Sequence, residues 1–287
     1  METKTKTKKN TFQESVRTYG VALACLVALL AAVYYSIVIH MAGDWYTDPN
    51  YSHGFLVPVI AGYFIWRRTD ALKAAPVRPS NWGIVVVLAG ILMLLFGYMG
   101  TEYFTMSSSL IVVLAGTALY LFGKDVLRVL LMPLAYLFFM IPLPYIVYDA
   151  FAFPLRLFVT KLSVSALGAM GIVVLGQGCV IKFPTVTLNV ANACSGMRSI
   201  MSLLALSVAA AFLVRSTGWR RWAIALSALP IAIAANAARI IITGILVQHW
   251  GARASEGIFH ESVGMAVFAF AMALLITVTA TIGRKGR

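Results

Sequence analysis

Charged side chains are scarce in this 287-residue sequence, at 11%, and acidic ones are scarcer still, 10 Asp and Glu against 23 Lys and Arg. An ordinary soluble domain carries about 25% charged residues, so that class is excluded. Cysteine is almost absent. Cys25, Cys179 and Cys194 are too few and too scattered for a disulfide framework or a zinc site. No close-set group of His, Cys and carboxylates stands in the sequence, so neither a metal nor a cofactor is expected. A cleavable signal peptide is also lacking, because the first apolar run is long enough to span and no small-residue cleavage site follows it.

Apolar residues make up 61% of the sequence and mean hydropathy is +0.87. They fall in long runs, which reads as an all-α polytopic integral membrane protein, since the lipid core demands internally satisfied backbone. In a soluble protein a net charge of +13 would suggest nucleic acid. Here the basic residues flank apolar runs, which implies topology control and contact with anionic lipid headgroups, and no nucleic-acid partner.

The expected organisation is a basic arm (residues 1–19), one membrane domain (20–283) and a basic tail (284–287). About eight spans are expected, near 20–41, 53–66, 82–99, 104–122, a fifth rising from the turn at Lys124 and Arg128 to Met140, then 196–214, 222–247 and 262–282. Pro142-Leu143-Pro144 stops the fifth. Residues 145–193 are expected to hold an external insertion. Its helix, from Ala150 to about Ala169, is interrupted by Arg156 and Lys161 and so should lie at the interface. Its hairpin follows from Ile172-Val173-Val174, Gly176-Gln177-Gly178, Val180-Ile181-Lys182-Phe183, Pro184 and alternating Val186/Leu188/Val190.

Eight spans with both termini inside gather most basic residues on the inner side: the N-terminal lysines with Arg17, then Arg67, Arg68, Lys73, Arg78, Lys124, Arg128, Arg215, Arg220, Arg221 and the C-terminal cluster. A ninth span at 150–170 would move Arg215, Arg220 and Arg221 outside, against the positive-inside bias.

On this topology Ala191-Asn192-Ala193-Cys194-Ser195-Gly196-Met197-Arg198-Ser199 lies at the outer face, where a strand-like approach enters a helix. Free N–H groups and the positive end of the helix dipole favour a thiolate at Cys194, and Arg198 adds a cation at i+4. The same stretch also reads as a buried membrane cysteine beside a snorkelling arginine. Arg239 lies about nine residues inside the seventh span, roughly 13 Å deep. An intramembrane arginine costs at least about 2.5–3.5 kcal/mol, so it needs a partner, a wet cavity or a function. Asn236 and Thr243 share its face. His53 opens the second span and reads either as a site residue or as an interfacial anchor. His260 precedes the last span, with Gly264 at i+4 as a small residue permitting close helix packing. A thiol, an imidazole and a guanidinium together suit acyl transfer or peptide cleavage at the external surface.

Four motifs in this order resemble the exosortase/archaeosortase family of polytopic transpeptidases. They are Tyr51-Ser52-His53-Gly54-Phe55-Leu56-Val57, Asn192-Ala193-Cys194-Ser195-Gly196-Met197-Arg198-Ser199, Asn236-Ala237-Ala238-Arg239-Ile240 and His260-Glu261-Ser262-Val263-Gly264, with Ile141-Pro142-Leu143-Pro144 in support. The resemblance implies a catalytic Cys194, Arg239 and His260, with Arg198, His53 and Asn236 orienting the site or the substrate. It implies substrates that are exported proteins with a C-terminal tripartite sorting tail of the PEP-CTERM type. The acceptor it implies is an unidentified amine, lipid or polysaccharide, often in the setting of exopolysaccharide production. The location implied is the bacterial cytoplasmic (inner) membrane, with the site on the external, periplasmic side.

Two other readings stand beside this one. A polysaccharide-export transporter or scaffold would use Arg239 to line a path and would not need Cys194. Another intramembrane protease or acyltransferase would use Ser195. The external placement of Cys179 also allows a Cys179–Cys194 disulfide, which would block the nucleophile.

Overall fold

The computed structural model describes residues 12–184, 186–190, 196–214, 218–251 and 257–284. Its helices are α1 (Phe12–Thr18), α2 (Gly20–Thr47), α3 (Leu56–Arg67), α4 (Thr69–Ala74), α5 (Trp82–Met99), α6 (Tyr103–Leu121), α7 (Lys124–Tyr136), α8 (Tyr145–Ala169), α9 (Gly196–Leu213), α10 (Trp219–Trp250) and α11 (Gly257–Arg284). Short 3-10 segments cover Pro49–Phe55 and Leu137–Met140, and three strands lie between α8 and α9. The chain forms two compact units, Met1–Pro144 and Tyr145–Arg287.

Among the described residues 6 helices are long and apolar enough to cross a membrane: α2, α5, α6, α8, α10 and residues Glu261–Gly283 of α11. This makes the protein an all-α, multi-pass membrane protein, and by length and composition the described helices do not support the exact count of eight spans. The helix near 53–66 has only 12 residues and α7 only 13. At 1.5 Å per residue each reaches less than about 20 Å, against a hydrocarbon core of about 30 Å. Part of each apolar run is taken up by a 3-10 segment instead. Residues 196–214 form a shorter apolar helix and are not among the six. Conversely α8, expected at the interface, does have the length and composition of a span. Arg156, which argued against that, is half-buried and paired with Asp149 at 3.3 Å. Within the N-terminal arm Phe12–Thr18 is helical, and the Phe12 ring packs on Phe122 at 4.8 Å.

In the first unit α2 buries one stripe, Tyr34, Ile37, Met41 and Trp45, and leaves its remaining apolar surface outward. Such a helix fits a lipid surround, where outward apolar side chains cost nothing. Tyr34 and Ser109 of α6 share a buried hydroxyl hydrogen bond at 2.9 Å. Helices α5 and α6 form the tightest pair, because Gly83, Gly90 and Gly97 recur every seventh residue along the buried seam. A Cβ at Gly90 would sit 2.6 Å from Val113 Cγ2, and one at Gly97 2.6 Å from Met106 Cγ, so only glycine permits this approach. Glu102 caps α6, accepting from the Phe104 and Thr105 N–H groups at 3.1 and 2.7 Å. Burial acts to raise its pKa, but these amide bonds outweigh burial and hold the carboxyl below its ordinary value.

In the second unit the glycine- and proline-punctuated stretch forms a three-stranded antiparallel sheet, β1 (Leu175–Gln177), β2 (Val180–Lys182) and β3 (Thr187–Asn189). A two-residue loop, Gly178-Cys179, joins the first two, with Gly178 at φ +61° as such hairpins require. Val190 donates to the Cys179 carbonyl at 2.9 Å and prolongs the β2–β3 pairing. The alternation expected at Val186, Leu188 and Val190 is present: Leu188 and Val190 point into a core with Val159, Leu167, Ile181 and Phe183. Ala237, Ile240 and Val247 of α10 close that core. Helix α10 is thereby fixed along one face, and its adjacent face meets α9 and α11.

Candidate active site

Helices α9, α10 and α11 follow one another through short connections and pack together, so α9 and α11 run in one direction and α10 in the other. The N-terminal ends of α9 and α11 therefore lie toward the C-terminal end of α10. Ser207 of α9 ties the pair by donating to the Ala225 carbonyl of α10 at 3.0 Å.

One layer below that end, Ser199 and Leu203 from α9, Ala235, Asn236 and Arg239 from α10, and Gly264, Val267, Phe268 and Ala271 from α11 enclose a cavity of about 10 Å³. That is space for about one water. Asn236 is 6% exposed and Arg239 half-buried. Thr243, one turn further on, is fully buried and its hydroxyl makes no hydrogen bond. The polar stripe expected on this helix therefore faces protein rather than lipid, which is where an intramembrane arginine is tolerated.

A Cβ added at Gly264 would lie 2.9 Å from Arg239 Cζ, 2.9 Å from Nη2 and 3.2 Å from Nε. The sequence led us to expect that Gly264 admits a neighbouring helix. What comes up against it is the arginine head group. Ser199, the last residue of the motif that carries Cys194 but not singled out as a site residue, and Phe268 also belong to this layer. For Phe268 the sequence signal is its i+4 spacing from Gly264, which is common to every packed helix.

The remaining candidates are placed as follows. Arg198 is exposed on the first turn of α9. Cys194 and Ser195 lie outside the described residues, two and one positions before α9. His260 falls in the first turn of α11, four residues before Gly264, with its side chain outside what is described. Cys179 is a free, half-buried thiol in the β1–β2 loop. Among the described residues no group of three His, Cys, Asp or Glu side chains gathers as a metal ion would require.

His53 belongs to the first unit, in the 3-10 segment Pro49–Phe55. That segment and the end of α2 before it dock on the turn after α7: Trp45 of α2 donates to the Met140 carbonyl at 2.7 Å and the Tyr51 hydroxyl of the segment donates to the Leu143 carbonyl at 3.5 Å. Two of the sequence motifs, about ninety residues apart, thus meet. Both imidazole nitrogens of His53 are shielded and make no well-formed hydrogen bond. Burial lowers its pKa below the ordinary 6.5, partly offset by the nearby backbone of Phe139 and Asn50.

The unfolded chain therefore takes up this proton at a higher pH than the folded one does. Stability is complete above pH 6.5 and declines as pH falls from 6.5 toward the folded-state pKa. Between pH 7.5 and 5.5 the thermal midpoint of the detergent-solubilised protein should drop more for wild type than for His53→Asn. Parallel midpoints for the two proteins would show that the ring is not shielded.

A family model described as transmembrane exosortase, of the EpsH type, matches residues 45–277. Searches of curated proteins and of solved structures find no match to the chain. The matched span starts in the last turn of α2, ends within α11 and contains every candidate site residue.

Proposed function

The chain belongs to the transmembrane exosortase family, and from that premise we propose that it is a cysteine transpeptidase built around Cys194, Arg239 and His260. Family membership supports a membrane sorting transpeptidase in general. The observation that carries the assignment of residues is the seat of Arg239. Its guanidinium abuts Gly264, one helical turn from His260, in the layer beneath the end where Cys194 leads into α9.

The substrate class is exported proteins whose C-terminal tail joins a short recognition motif, an apolar span and a basic end. The tail helix enters beside the site from the bilayer, which places the scissile carbonyl at the external face of the cytoplasmic membrane. The Cys194 thiolate attacks the carbonyl carbon. The oxyanion that forms is stabilised by the Arg239 guanidinium. The C–N bond then breaks, and the His260 imidazolium gives its proton to the departing amine. The tail leaves, and the exported protein stays on Cys194 as a thioester. An envelope amine or water attacks the thioester, His260 takes up the nucleophile's proton, and the thiolate is expelled. The N-terminal ends of α9 and α11, both directed at this end of the bundle, add partial positive charge where thiolate and oxyanion develop. Arg198, Asn236 and His53 are assigned to orienting the site or the substrate.

Hydroxylamine tests the thioester directly. Membranes holding the enzyme and a tail-bearing protein should release that protein with a C-terminal hydroxamate at the cleavage point. Cleavage without any hydroxamate at saturating hydroxylamine would rule out an acyl-enzyme.

A further inference from the structure

We propose that Gly264 is a positioning residue for this reaction, because the Arg239 guanidinium lies 2.9 Å from the place where a Cβ would stand, closer than a Cβ allows. The inference rests on the catalytic reading of Arg239 and adds to it a residue that sets where the cation is held. All three atoms nearest to that Cβ position belong to the arginine: Cζ and Nη2 at 2.9 Å and Nε at 3.2 Å. Buried glycines elsewhere in each unit make room for structure. A Cβ at Gly244 would meet Leu167 Cδ1 at 2.8 Å, and one at Gly116 would meet the Val87 backbone nitrogen at 2.7 Å. At Gly264 the room is given to a charged head group.

The consequence for the fold differs from that for the site. The guanidinium is the end of a long flexible side chain, so an added methyl group displaces the arginine and leaves the helices where they are. Carbon atoms pack at about 3.5–4.0 Å, so the guanidinium would have to retreat by up to about 1 Å. A misplacement of about 1 Å costs on the order of 100-fold in rate when a group must meet a developing charge.

The test uses full-length protein in membranes with a tail-bearing substrate, reading kcat, KM and the thermal midpoint in detergent for Gly264→Ala, Gly264→Val, Arg239→Ala and Met265→Ala. Met265 neighbours Gly264 but is 67% exposed, and its variant should match wild type. Gly264→Ala should lower kcat about 100-fold with KM and midpoint held, and Gly264→Val should lower it further. A wild-type kcat in Gly264→Ala overturns the inference. So does a loss that tracks the midpoint, or one that appears in KM alone, since either marks a packing role. Full processing by Arg239→Ala would instead sink the catalytic reading of the arginine. Loss in Arg239→Ala alongside full activity in Gly264→Ala sinks only the seat.

Discussion

Cys194→Ala leaves a co-expressed tail-bearing protein unprocessed, with a rate reduction of about 10⁴-fold or more. The carbonyl carbon can be attacked by no other group of comparable strength in the proposed set, and a reduction of that size corresponds to about 5.4 kcal/mol of barrier. Cys194→Ser also fails, although it keeps a nucleophilic atom. A thiol ionises several units below a hydroxyl, and the features proposed to favour an anion at Cys194, the helix start that follows it in the chain and Arg239, suit a group already close to ionisation. Immunoblots of precursor and processed forms, with membrane levels of the three proteins matched, read the result. Full processing by Cys194→Ala would remove the peptidase mechanism and bring forward the transporter or scaffold reading, which needs Arg239 and not the thiol. Processing by Cys194→Ala that disappears on replacing Ser195 would assign the chemistry to the neighbouring hydroxyl.

The second large effect is at Arg239. Arg239→Ala lowers kcat by about 100- to 1,000-fold, the range seen when one donor to an oxyanion is removed. Arg239→Lys recovers only part of this, because an ammonium is a point donor and cannot reproduce the planar fork of the guanidinium. The thermal midpoint separates this role from a structural one. An arginine inside the membrane carries an insertion cost of about 2.5–3.5 kcal/mol, even where Ser199 and Asn236 share its layer, so its removal should not unfold the bundle. The midpoint should stay within about 4 °C of wild type, the shift expected for a change near 1 kcal/mol in a chain of this size. An activity loss accompanied by a proportionate fall in midpoint would make Arg239 part of the packing between α9, α10 and α11.

Much of the candidate site can be read along the chain, because the chemistry proposed for it is carried by rare residues in an apolar background. An arginine flanked at i−3 and i+4 by Asn236 and Thr243 stands out in α10, and the structure turns that face toward α9 and α11 rather than lipid. The strand-turn-strand region was equally legible, since Gly178 and Pro184 interrupt β-branched runs at hairpin spacing. The lengths of the individual helices were not. Hydropathy along 53–66 and 124–140 does not reveal that a 3-10 segment uses up part of each run, nor that residues from Tyr145 to Ala169 tolerate Arg156 by pairing it with Asp149 seven residues away.

The amino-acid sequence by itself determined that this protein lives in the bilayer, which residues are chemically out of place there, and the order in which the motifs occur. Each of these is a local property, fixed by transfer free energy and turn chemistry within a few residues. Only the tertiary structure decided which of those residues meet. The Trp45–Met140 hydrogen bond spans 95 positions. The guanidinium of Arg239 finds Gly264 on the next helix because α10 is held on its other face by α8 and the sheet. Such contacts depend on how far each helix is rotated about its axis. That rotation is set by packing on all its faces at once, and no single stretch of sequence contains it.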